Sequence, residues 1–201
     1  DKKSIHVMSL VQLQMAQTSS RFDINYDPEL YVHRPEELKF VSFIKELELE
    51  SNTSVRNLFL VLADAGIGKT WLEAHIANEY VDKEYPVFFI SLRLGFKSQI
   101  ETIFNTDYFR VESILSKMYD ITKKPVILFL DGLDEVPSSE RSSILRYILS
   151  LGGRKDVAFV LSCRTVDWIS DPAITDNLTT ANRFIYRPEE ETEKETVASV
   201  I

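Results

Sequence analysis

The stretch LFLVLADAGIGKTWLEAHI, Leu58 to Ile76, changes pattern abruptly. The solid apolar run Leu58–Leu62 reads as a strand covered on both faces. It stops at Ala63-Asp64-Ala65-Gly66-Ile67-Gly68-Lys69-Thr70. A helical period follows in Leu72, Ile76, Ala77 and Tyr80, with Glu73 and Glu79 expected on the outside. A short glycine turn ending in Lys-Thr between a buried strand and a helix is what a phosphate-binding loop requires. Glycines let backbone N–H groups close around phosphate oxygens, and the new helix points its positive end at the anion. Lys69 adds a point charge, and the Thr70 hydroxyl can reach Mg²⁺. The usual pattern, G-x-x-x-x-G-K-[ST], has Ala63 in place of its first glycine. Alanine is the smallest alternative, so impaired geometry at worst is expected there.

The strand–helix alternation continues. Apolar runs at Pro86–Leu92, Val126–Asp131, Val157–Ser162 and Phe184–Tyr186 predict four more strands. Val111, Ile114, Leu115, Met118 and Tyr119 fall on one helical stripe, and Ile144, Leu145, Ile148 and Leu149 on another, ended near Gly152-Gly153. Pro35 suits the first turn of a helix whose apolar face is Phe40, Val41, Phe43, Ile44 and Leu47. SNTS breaks that helix. Ser4 to Ala16 has helical character without a clear place. The expected fold is a three-layer α/β P-loop arrangement, with a parallel five-stranded sheet covered by helices on both faces. Ligands of such sheets sit at the carboxyl ends of the strands.

Two other strand ends carry chemistry. The third delivers Asp131, a candidate Mg²⁺ ligand, with Asp134 and Glu135 just beyond as candidates to polarise an attacking water. The alternative is an acidic turn capping the next helix. The fourth ends in SCRTVDW, so Arg164 would emerge at the same edge, near a γ-phosphate. Its alternative is an ordinary surface pair with Asp167. Cys163 reads as a packing residue, and the three histidines, His6, His33 and His75, show no metal-ligand spacing.

Charge and composition exclude some partners. A net charge of −8 makes nucleic acid an unlikely direct partner of this segment. No apolar run approaches the roughly 18 residues that span a bilayer. The lone cysteine fits a reducing, cytoplasmic setting. A start at Asp1 reads as a piece of a longer chain.

Together these motifs resemble the STAND class of P-loop ATPases, and its NACHT branch most closely. The resemblance rests on ADAGIGKT, ILFLDGLDEV, VLSCR and LYVHRPEEL. It implies that Tyr31, Val32 and Arg34 line an adenine site and that Ala65, Gly66, Ile67, Gly68, Lys69 and Thr70 hold the phosphates of ATP or ADP. It implies Mg²⁺ on Thr70 and Asp131, hydrolysis served by Asp134 or Glu135, and γ-phosphate sensing by Arg164. Gly132 stands where many related ATPases carry their base, which leaves Asp134 and Glu135 both open. The implied layout is a linker over 1–25, a nucleotide-binding domain over 26–188 and the start of a helical lid over 189–201. The implied role is a slow ATPase switch of innate-immune or antiphage type, which self-associates when activated and works with effector and sensor domains not included here. The alternatives are an AAA+-like motor acting on protein or DNA and a P-loop kinase.

Overall fold

The computed structural model describes residues 27–49, 55–178, 183 and 185–188. The expectations for Ser4–Ala16, the 1–25 linker, the SNTS break, Phe184 and the 189–201 lid fall outside the described residues.

Five parallel strands form one sheet: β1 (Leu58–Leu62), β2 (Val87–Ser91), β3 (Val126–Asp131), β4 (Val157–Cys163) and β5 (Ile185–Tyr186). Their spatial order is β2-β3-β4-β1-β5. Seven α-helices are seen among the described residues: α1 (Pro35–Glu48), α2 (Lys69–Asp82), α3 (Phe96–Phe104), α4 (Val111–Thr122), α5 (Ser138–Ser150), α6 (Thr165–Ser170) and α7 (Pro172–Leu178). The order has a mechanical consequence. The strand feeding the glycine loop and the strand carrying Asp131 are not neighbours, and β4 lies between them. Register keeps their ends level: Leu62 pairs with Cys163 and Leu130 with Leu161. The loop after β1, Asp131 and Arg164 therefore share one edge of the sheet.

Strand side chains alternate between two cores, as the period of two demands. Phe59, Val61, Val87, Ile127, Phe129, Ala158 and Val160 face α1 and α2, joined by Phe40, Phe43, Ile44 and Leu47. Leu58, Leu60, Phe88, Ile90, Leu128, Leu130, Phe159 and Leu161 face the opposite layer, with Ile100, Leu115, Leu145 and Trp168. The fold class matches the expectation. Boundaries shift slightly: the second strand ends at Ser91, where Leu92–Leu94 turn into a 3₁₀ helix. Nothing in the sequence reading accounts for α3, yet its Phe96, Ile100, Ile103 and Phe104 are buried. Its nine residues make only two and a half turns, too short for the stripe to stand out from the adjoining strand.

Glu73, expected on the outer face of α2, is instead fully buried. Its position lies one turn beyond Lys69 and one turn before Ala77, on the arc that faces Asp131 of β3 and Ser162 of β4. Glu79 does lie outside, paired with Lys83 at 2.8 Å.

Candidate nucleotide site

The loop between β1 and α2 takes the conformation its glycines permit. Gly66 (φ +78°) and Gly68 (φ +81°) both occupy the left-handed region. A Cβ on Gly68 would lie 2.8 Å from Arg34 Nη2, so this glycine also makes room for the strap that precedes α1. Arg34 Nη2 donates to the Ile67 carbonyl at 2.8 Å. The strap is thereby clamped to the loop. Gly68 is the N-cap of α2 and offers no side-chain cap, leaving the helix N-terminus directed at the loop. Lys69 folds back, its Nζ donating to the carbonyls of Ala63 (2.9 Å) and Asp64 (3.1 Å).

Behind the loop, Thr70 Oγ1 lies 3.4 and 3.3 Å from the two Asp131 oxygens. Ser162, on the intervening β4, donates to Asp131 Oδ1 at 2.8 Å and accepts from the Gly132 N–H at 2.9 Å. It fixes the carboxylate where β3 ends. Gly132 is itself left-handed (φ +81°), and a Cβ there would press on the Glu135 side chain at 3.3 Å. The residue that replaces an immediate base is thus required by the turn. Glu73 completes this interior. Its carboxyl oxygens make no hydrogen bond of good geometry, although Asp131 and Ser162 lie beside them. Burial, and then the neighbouring Asp131, push its carboxyl well above the ordinary range.

At the far side of the edge, Asp134 and Arg164 grip each other. Asp134 Oδ1 accepts from the Arg164 N–H at 3.0 Å and Oδ2 pairs with Arg164 Nε at 2.8 Å. Arg141 reinforces the turn through the Asp134 carbonyl and takes Asp167 at 3.6 Å, so the surface pair of Arg164 with Asp167 does not form. The Asp134 side chain is only 6% exposed, whereas Glu135 is 48% exposed with Arg93 Nε at 4.0 Å. Cys163 is buried, which pushes its thiol up to about 12 and leaves it an inert packing group.

The strap holds a second cluster. Tyr31 stacks on His75 of α2, ring centroids 4.0 Å apart and planes within 11°. Val32 is 78% exposed. Burial opposes the charge on Glu37, but bonds from His33, the Arg34 N–H and the Tyr31 hydroxyl, with His75 nearby, outweigh it and hold this carboxyl below its usual range. The histidines show no metal-ligand spacing along the sequence, yet two of them come together in space. His33 and His75 are far apart in sequence but converge on Glu37 because α1 and α2 share one face of the sheet. No linear spacing announces this. Glu73 and Ser162 were likewise missed as site residues. The i+4 relation of Glu73 to Lys69, and the place of Ser162 one residue before the end of the central strand β4, are the available signals.

The donor set fits a nucleotide with its metal. Thr70 and Asp131 supply hard oxygen atoms side by side, the chemistry that Mg²⁺ prefers. The left-handed Gly66 and Gly68 and the uncapped start of α2 are the features by which a loop offers backbone N–H groups to an anion.

The sequence matches no protein-family model and no curated protein. Solved structures do match in shape. The Orc1 protein of Aeropyrum pernix, determined in complex with DNA, superposes with a TM-score of 0.53 at 16% identity, covering 80% of this chain and 46% of that one. Cdc6p from Pyrobaculum aerophilum gives 0.53 at 17% identity, covering 84% and 48%. The chain spans about half the length of either. These relatives in shape are P-loop ATPases of AAA+ type, and the fold seen here is that of a P-loop NTPase. At such low identity the likeness establishes the fold alone.

Proposed function

We propose that residues 26–188 form an adenine-nucleotide module that binds ATP or ADP with Mg²⁺, hydrolyses ATP slowly and serves as a switch of the STAND type. The observation that carries the reading is the convergence, at one sheet edge, of Lys69, the Thr70–Asp131 oxygen pair and the uncapped N-terminus of α2. Lys69 exchanges its loop carbonyls for β- and γ-phosphate oxygens. Thr70 and Asp131 would hold the metal, which when bound would neutralise phosphate charge. Tyr31, Val32 and Arg34 form the adenine side.

Within this reading the two carboxylates take different roles. Both Asp134 oxygens serve Arg164, so Asp134 acts as a positioning residue that aims the guanidinium. Glu135, more exposed and held only by a long contact to Arg93, is the carboxylate that takes the proton from water. Two variants test this by calorimetry and phosphate release in the full-length protein. Lys69→Ala is expected to weaken ATP binding by roughly 10- to 150-fold, because it removes a charge-assisted contact. Glu135→Gln is expected to keep ATP affinity and lose most turnover. Unchanged affinity in the first variant sinks the nucleotide reading, and parental turnover in the second sinks the base assignment.

The switch reading draws on Arg164 latched to Asp134, a contact that a γ-phosphate would compete for. It places the chain beside an effector and a sensor, in innate-immune or antiphage defence, with assembly in the ATP state. The likeness in shape to Orc1 and Cdc6p favours a second reading, an AAA+-type motor. Sizing the full-length protein with ADP and then with a non-hydrolysable ATP analogue plus its trigger separates them. A switch assembles and turns over slowly, whereas a motor shows brisk turnover stimulated by DNA or peptide.

A further inference from the structure

We propose that His33, Glu37 and His75 form a binding site for one first-row divalent cation, Zn²⁺ by preference, which ties the strap before α1 to α2. The three residues come from the strap, the first turn of α1 and the second turn of α2, and their donor atoms all lie within 4.8 Å of one another.

The carboxylate is prepared for such a role. Glu37 Oε1 is occupied, accepting from the Tyr31 hydroxyl at 2.8 Å and from the Arg34 N–H at 2.6 Å. Oε2 is turned to the imidazoles, 2.8 Å from His33 Nδ1 and 3.6 Å from His75 Nε2. A tetrahedral ion with ligands at about 2.0–2.1 Å holds its ligand atoms roughly 3.3 Å apart, a separation that falls between those two distances. The remaining closure belongs to His33, whose side chain is 80% exposed and has room to swing. His75 is held by its stacked contact with Tyr31. The same tyrosine therefore orients one ligand through its ring and another through its hydroxyl, the outer-shell arrangement that metal sites depend on.

The chemistry of the set selects the ion. Two imidazoles and one carboxylate suit Zn²⁺ and its first-row neighbours, whereas Mg²⁺ and Ca²⁺ favour all-oxygen sites. The cluster is therefore chemically distinct from the Thr70–Asp131 pair and makes a separate demand on metal.

The test uses tag-free purified protein, stripped of metal with a chelator and titrated calorimetrically with ZnCl₂ in the presence of excess MgCl₂. The expected result is one Zn²⁺ per chain at micromolar affinity or tighter, unaffected by MgCl₂. His33→Ala, Glu37→Gln and His75→Gln should each weaken it by at least about tenfold. Co²⁺ should give the intense visible absorption of a four- or five-coordinate ion, lost in His33→Ala. His33 is exposed and outside the core, so that variant should keep the parental melting temperature without metal and lose the stabilisation that Zn²⁺ confers on the parent. Stoichiometry near zero, equal Zn²⁺ affinity in parent and His33→Ala, or displacement of Zn²⁺ by MgCl₂ overturns the proposal and leaves the cluster an ion pair between histidine and carboxylate.

Discussion

At the scale of single residues, Glu73 is a costly group. A buried carboxyl without a hydrogen bond of good geometry regains little of its lost hydration, and Asp131 beside it makes ionisation harder still. Glutamine has nearly the same shape, carries no charge and can donate to Asp131. Glu73→Gln is therefore expected to stabilise the nucleotide-free protein by about 1–3 kcal/mol. For a chain of this size that is a rise in Tm of several degrees, readable in a thermal melt. A fall in Tm would mean that Glu73 has a partner in solution that offsets its burial. Gly132 teaches a related lesson. In the sequence it is a missing base, but in the structure its left-handed backbone carries the chain past Asp131 so that Asp134 and Glu135 follow.

At the scale of elements, the strands were legible because each is a continuous apolar run, and parallel strands buried on both faces leave no other pattern. The Gly68-Lys69-Thr70 end of the loop and the Asp131 end of β3 were legible for a related reason: polar residues stand out where an apolar run stops. Contacts between elements were not. The pairing of Asp134 with Arg164, and of Glu37 with His33 and His75, depends on which helices share a face and which strand lies between two others. α1 shows how such contacts reach the site. Phe40 meets Phe59 of β1 edge-on at 5.1 Å and Tyr80 of α2 at 5.1 Å, while Phe43 packs on Tyr186 of β5 at 5.6 Å. The strap that carries Tyr31 and Arg34 leads directly into this anchored helix. Phe40→Ala is expected to destabilise the fold by about 3–5 kcal/mol, since a fully buried ring is removed from between three elements. Urea denaturation gives the value. A loss below about 1 kcal/mol would show that α1 is not an integral part of the core.

At the scale of the whole molecule, both aromatic packing and charge tie the helical layers to the sheet. Arg56, just before β1, pairs with Glu46 of α1 at 2.8 Å, and a larger charged cluster holds α4. Arg154 Nη2 and Nε bond Asp156 at 2.6 and 2.9 Å, Ser116 of α4 donates to Asp156 at 2.9 Å, and Arg154 reaches Glu112 of the same helix at 3.1 Å. Burial works against the Asp156 charge, but the bonds from Arg154 and Ser116 more than offset it and hold the carboxyl below its usual range. The sign of the pH effect follows. A carboxyl whose folded pKa is depressed binds fewer protons folded than unfolded, so its contribution is present above the unfolded value of about 3.9 and is lost as pH falls through the folded one. Asp156→Asn is accordingly expected to cost about 1–3 kcal/mol at pH 7, where the parent pair is intact. The parent should lose this advantage on acidification, its melting curve converging on that of Asp156→Asn below about pH 4. Melting both proteins from pH 7 down to pH 3 measures the gap directly. A gap that stays constant over that range would mean that the Asp156 charge does not tie α4 to the sheet, and that the asparagine change acts through packing alone.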